Sequence, residues 1–156
     1  MRYTTTLGQV VRGAACSVLL LALPFAAASA GSHGGKALAW SLDDPQLEWG
    51  PCPEFLPEGC TIAVLHGNPA EPNADIFFKV PGGAEIPRHQ HTSAERMVLI
   101  SGELEVTYDG QEPVTLRVGN YAYGPAGLPH HGRCVSSEPC VLMIAFEAPV
   151  DAIPVE

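Results

Sequence analysis

From Cys60 onward the chain is a succession of short apolar runs cut by turn residues. Cys60 to Leu65 (CTIAVL) is β-branched and apolar, and the stretch from His66-Gly67-Asn68-Pro69 to Glu71-Pro72-Asn73 is turn chemistry. Asp75 to Val80 reads as the next strand, Pro81-Gly82-Gly83 as a turn, and Met97-Val98-Leu99-Ile100 as a buried strand that stops at Gly102. From Gly102 to Tyr108 the pattern alternates. Leu104, Val106 and Tyr108 take one face and Glu103, Glu105 and Thr107 the other, which is a half-buried strand. Asp109-Gly110 is a hairpin signal. Pro113 to Val118, Asn120 to Gly124, His130 to Val135 and Cys140 to Glu147 supply the remaining strands. Short strands with Gly and Pro between them, and no long helical period, argue an all-β sandwich or barrel.

The chain before Cys60 follows other rules. Arg2 and Arg12 precede an apolar run, Ser17 to Ala28, and Ala28-Ser29-Ala30 offers a small-residue cleavage site before Gly31. This is the layout of a signal peptide, and the run is short of the roughly 20 residues that span a bilayer. No stable membrane anchor is expected. Residues 31–36 then read as a flexible end, and Ala37 to Leu42 as a short edge strand with Trp40 as its anchor. Asp43 to Gly59 is irregular, because Pro45, Pro51, Pro53 and Pro57 exclude a continuous helix or a central strand. The expected organisation is a signal peptide over 1–30, an N-terminal arm over 31–59, a barrel over 60–148 and a tail over 149–156, loose between Pro149 and Pro154.

Charge and cysteines narrow the setting. The formal net charge is −9, and removal of residues 1–30 takes away two basic residues and no acidic one, leaving 6 − 17 = −11. An acidic surface repels phosphates, so nucleic acid is excluded as the expected partner. Four of the five cysteines lie beyond residue 30: Cys52, Cys60, Cys134 and Cys140. An even number in an exported chain points to disulfides and to a secreted or periplasmic location. Four cysteines allow three connectivities. Local pairing, Cys52–Cys60 and Cys134–Cys140, is the expectation adopted, the second bond clamping a hairpin.

The chemistry lies in two stretches. His89 and His91 are spaced so that a strand would turn both to one face, and Glu95 follows after a short polar break. Gly119 to Cys134 (GNYAYGPAGLPHHGRC) delivers His130 from a turn-rich segment. Alternation sends His131, Arg88 and Gln90 the other way, Arg88 as a solvated charge. It puts Met97 and Leu99 on the face of Glu95, and Tyr121 and Tyr123 together on one face, either inward near the site or outward in a dimer contact. Met97, Leu99 and Tyr123 are the candidate pocket walls.

Together these stretches resemble the cupin family. Gly83, His89, His91, Glu95 and Gly102 fill the first cupin motif, and Gly119, Pro125, Gly127 and His130 fill the second, with Cys134 where Asn is usual. The resemblance implies a double-stranded β-helix, or jelly-roll, barrel. It also implies that His89, His91, Glu95 and His130 hold one divalent transition metal: Fe, Mn, Ni, Cu or Zn. Three imidazoles and a carboxylate suit such an ion. The implied function is a small-molecule metalloenzyme of dioxygenase-like type, with Glu95 doubling as a catalytic proton acceptor. The alternative is a metal-loaded module that binds a small ligand without turnover. A homodimer is expected from the same resemblance, with Trp40, Trp49 and Ile76-Phe77-Phe78 as a candidate contact face.

Overall fold

The computed structural model describes residues 35–156. The expected signal peptide lies outside them. Leu38–Glu156 make up one compact unit. Its strands are β1 (Trp49–Pro51), β2 (Thr61–His66), β3 (Ala74–Val80), β4 (Glu85–Gln90), β5 (Glu95–Ser101), β6 (Glu103–Tyr108), β7 (Val114–Arg117), β8 (Tyr121–Gly124), β9 (His130–Cys134), β10 (Cys140–Phe146) and β11 (Ile153–Pro154). A six-stranded sheet in the order β1-β2-β3-β10-β5-β8 packs on a five-stranded sheet in the order β11-β4-β9-β6-β7. Every pairing among them is antiparallel. This is the all-β jelly-roll architecture expected from the motifs.

The strands β2, β3 and β5 to β10 fall within a residue or two of their expected positions, because turn residues bound each run. Gly102, between β5 and β6, shows how tightly. Its φ is +81°, and a Cβ there would stand 2.9 Å from the Cys140 sulfur and from the Pro139 carbonyl oxygen. Glycine alone relieves both constraints.

Two segments differ from expectation. Ala37–Leu42 forms no strand. The edge beside β2 is taken instead by Trp49–Pro51, whose register sets Gly50 against Ile62. Trp40 serves as cover: its indole N–H donates to the Leu65 carbonyl at 2.9 Å, and its ring packs on a second apolar cluster of Leu47, Ala63, Phe77 and Val141. The C-terminal tail is not loose. Ile153 and Pro154 pair with Gln90 and His89 of β4, and the Val150 N–H donates to the Pro69 carbonyl. A backbone ladder at an exposed edge is the physical reason: β4 would otherwise leave that edge unpaired.

The main core fills the space between the sheets, with Leu99, Val80, Cys134 and Cys140 almost wholly buried. Cys52–Cys60 and Cys134–Cys140 are bonded as the local pairing expects. Loops this short contribute on the order of 2–3 kcal/mol each by restricting the unfolded chain. Residues offered as a dimer face are used within the chain. Ile76 is 2% and Phe77 6% exposed, while Trp40 and Trp49 pack on the second cluster.

Candidate metal centre

The two histidines of β4 owe their direction to a bulge. Ile86 is opposite Gly132 and His89 is opposite His130, so β4 spends Pro87 and Arg88 where β9 spends His131 alone. Unbroken alternation from the inward Ile86 would turn His89 outward. The extra residue reverses the phase, and His89 is buried. A proline is tolerated there because a bulge leaves a ladder position empty. His91 lies one residue past β4, where its carbonyl accepts from the Gly127 N–H at 2.8 Å. The turn that follows is pinned by Ser93, whose hydroxyl accepts from the Glu147 and Ala148 N–H groups at 2.9 and 3.0 Å. Glu95 opens β5 and His130 opens β9.

These elements bring three imidazoles together. One ligating nitrogen from each of His89, His91 and His130 can be chosen so that all lie within 4.8 Å of one another. Each ring donates its Nδ1–H to a backbone carbonyl: His89 to Pro87 at 2.7 Å, His130 to Leu128 at 3.2 Å, and His91 to Asp151. A carbonyl only accepts, so the Nδ1 atoms carry the protons and the Nε2 lone pairs remain free. Glu95 closes the group, with Oε1 3.2 Å from His91 Nε2 and Oε2 3.7 Å from His130 Nε2. That Oε2 is buried without a hydrogen-bond partner.

Burial governs the protonation states. It lowers the His89 pKa to about 4 against the help of the Pro87 carbonyl, and lowers His130 to about 3, with a further push from His89. His91 is also lowered by burial, while the Asp151 carbonyl supports its proton. Burial raises Glu95 to about 8, and the Asp151 charge adds to it. Neutral imidazoles beside a carboxylate that lacks a buried partner form a donor set suited to a divalent transition ion. The residues present therefore fit a metal.

The centre opens into a cavity of about 250 Å³. Met97 lines it as expected. Leu99 does not; it is wholly buried in the core. Tyr123 faces outward, half exposed, beside the Arg96 guanidinium. His131 is exposed, as alternation from His130 requires. Arg88 is not simply solvated: it pairs with Asp109 at 2.5 Å and donates to the Glu156 carbonyl.

Three residues of the site have no part in the motif reading. Tyr108 lines the cavity with its ring 4.8 Å from the His130 ring, and its hydroxyl has no partner. Its place on the buried face of an alternating strand was the available signal. Gly124 makes room: a Cβ there would lie 2.7 Å from the Tyr108 hydroxyl and 2.9 Å from Glu95 Oε2. Asp151 supports His91 through its carbonyl and binds the Thr92 N–H and hydroxyl through its carboxylate, at 2.9 and 2.6 Å. Nothing in the sequence around Asp151 marks that role.

The family model for the cupin domain matches residues 76–146. An uncharacterized protein of Methanocaldococcus jannaschii is 35% identical over 46 residues, 30% of this chain and 40% of that protein. Among solved structures, the DMSP lyase DddQ of Ruegeria pomeroyi is similar at a TM-score of 0.60 and 20% identity, over 70% of this chain and 61% of its own. The Schizosaccharomyces pombe Cnp3 cupin domain is similar at 0.57 and 17% identity, over 72% and 75%. An oxalate oxidase is similar at 0.54 and 18% identity, over 64% and 56%. This chain thus spans two fifths of the curated relative and less than two thirds of the DMSP lyase. At such identities the structural likenesses speak for the fold.

Proposed function

Because this chain belongs to the cupin superfamily, we propose that it is an exported metalloenzyme acting on a small organic molecule, with His89, His91, Glu95 and His130 holding one divalent transition metal. The observation that carries the reading is the buried three-histidine cluster facing a Glu95 oxygen with no partner, in the wall of a largely apolar cavity. When bound, the ion would supply Lewis-acid polarisation or the redox capacity of a dioxygenase-like reaction. The chain's own residues do the rest. The three Nδ1–H bonds orient the imidazoles, and the apolar walls exclude water. Glu95, buried beside the histidines with one oxygen that has no partner, is placed to accept a proton from the bound molecule and return it. Similar structures include a lyase and an oxidase, so the fold leaves the reaction type open to assay. The two disulfides support an oxidising compartment, in keeping with a secreted or periplasmic chain.

The test compares two adjacent histidines. His130→Ala is expected to lower metal affinity by orders of magnitude, whereas His131→Ala, an exposed neighbour, should lower it by about 10-fold or less. Metal content by elemental analysis reads the difference, and oxygen uptake with a panel of diketones and flavonols reads the reaction. Equal occupancy in the two variants would remove His130 from the ligand set. Tight ligand binding without turnover would make the protein a binding module.

A further inference from the structure

The cavity says what kind of molecule it accepts. Its walls are apolar side chains from both sheets, among them Leu56, Ile76, Ile86, Met97, Val106 and Leu142. No Lys or Arg among the described residues lines it; its ionisable lining is Glu95, Asp151, Tyr108 and histidine. The barrel's cations are committed elsewhere. Arg88 pairs with Asp109, Arg96 with Glu147, Arg117 with Glu103 and Arg133 with Glu85, and the Lys79 ammonium sits 3.9 Å over the Trp49 ring. A charged group away from the histidines would therefore be buried with no counter-charge, which costs several kcal/mol.

One polar feature breaks the apolar wall beside the metal centre. The Tyr108 hydroxyl is buried without a partner, in a residue only 9% exposed. A buried O–H with no acceptor is costly, so its place in the cavity wall suits an acceptor from water or from a bound molecule. It crowds the same point, above Gly124, as Glu95 Oε2. The Tyr108 ring also lies 4.8 Å from the ring of His130.

We propose that the substrate is a small molecule with a single oxygen head group, an enolate or a monocarboxylate, on an otherwise apolar body, and that Tyr108 donates a hydrogen bond to that head group. A second carboxylate would meet walls that hold no Lys or Arg, so dicarboxylates are disfavoured. The inference rests on the cavity being the substrate site proposed above. It gives Tyr108 the role of orienting the head group. The ring already packs on His130, so removal of the hydroxyl alone leaves the wall intact.

The experiment uses hexanoate and adipate, which share a six-carbon chain and differ in the second carboxylate. Calorimetry with the full-length, metal-loaded protein measures both. Hexanoate is expected to bind at least about tenfold more tightly than adipate, since the second carboxylate finds no partner. Tyr108→Phe should weaken hexanoate by about tenfold with unchanged metal content. Tyr121→Phe, at an exposed position, should change nothing. Equal binding of the two acids, no hexanoate binding, or an unaltered hexanoate affinity in Tyr108→Phe would overturn the proposal. Failure of the metal reading shows separately, as absence of metal from the wild-type protein by elemental analysis.

Discussion

The two sheets are buried differently, and that difference divides the labour of the molecule. In the six-stranded sheet, β3 and β10 have apolar residues on both faces: Ile76 belongs to the main core, and Phe77 and Val141 to the outer cluster covered by Trp40, Leu42 and Leu47. In the five-stranded sheet, β6 and β9 alternate strictly, with Glu105, His131 and Arg133 exposed. The doubly covered sheet contributes Glu95, on β5, and much of the apolar wall. The singly covered sheet and its flanking turn carry all three clustered histidines. A sheet with one face in water can carry a bulge and polar side chains at little cost. A sheet packed on both faces has less room for polar side chains, because every missing contact there leaves a void, although it too shifts register, at Val64/His66 and at Val141/Leu142.

The largest expected effect tests the outer layer. Phe77→Ala should lower stability by about 3 kcal/mol or more, since it empties a site that is 6% exposed. Thr107→Ala, on the outer face of the other sheet, should stay within about 0.5 kcal/mol. Urea denaturation of the two variants decides the matter. Similar losses would show that the sheets are covered alike.

A smaller effect sharpens the boundary between scaffold and site. Asp151→Ala removes both side-chain bonds to Thr92 and loosens the carbonyl that holds His91. Metal affinity should fall by about 10- to 100-fold, with little change in the melting temperature of the metal-free protein. Metal competition titration measures it. An unchanged affinity would mean that the C-terminal segment only covers the β4 edge.

The smallest effect is a pH dependence with two limbs. His89 and His130 titrate near 4 and 3 when folded, and His91 is also lowered. The unfolded chain therefore binds more protons below about pH 6.5, and stability falls as pH drops through that window. Glu95 acts in the opposite sense. Its folded pKa is about 8 rather than 4.5, so stability falls as pH rises between those values. Below about pH 6.5 the imidazoles outnumber the carboxyl, and above it the carboxyl acts alone. The metal-free protein should be most stable near pH 6.5 and lose at most about 1.4 kcal/mol per pH unit above it. Glu95→Gln should abolish the alkaline limb and keep the acid one. Thermal melts of chelated protein across this range provide the check, and an alkaline limb surviving in that variant would contradict the assignment.

The sequence by itself determined the strand positions, the separation of turn from strand, and the side chains available for chemistry. Those features are local: glycine and proline punctuation, period-2 alternation and the spacing of His89, His91, Glu95 and His130 all act within a few residues. It favoured the two disulfide partnerships among three possible connectivities, since each bond joins residues close in the chain, and the structure has both. The tertiary structure decided what depends on distant partners. Alternation alone could not orient His89, because the bulge at Pro87 and Arg88 exists only against β9. It placed Leu99 and Tyr123 in the pocket, but the twist and packing of the sheets bury the first in the core and turn the second outward. Trp40 was read as a strand anchor and became cover for the outer cluster, because a face of β2 and β3 needed burying more than an edge needed pairing. The tail from Pro149 onward has no periodic signal. Its order comes from the open edge of β4 and from the turn at Thr92, which lie about sixty residues away in the chain. Side-chain type is written locally. The environment that sets a pKa, frees a lone pair or strands a hydroxyl is assembled only when those remote segments meet.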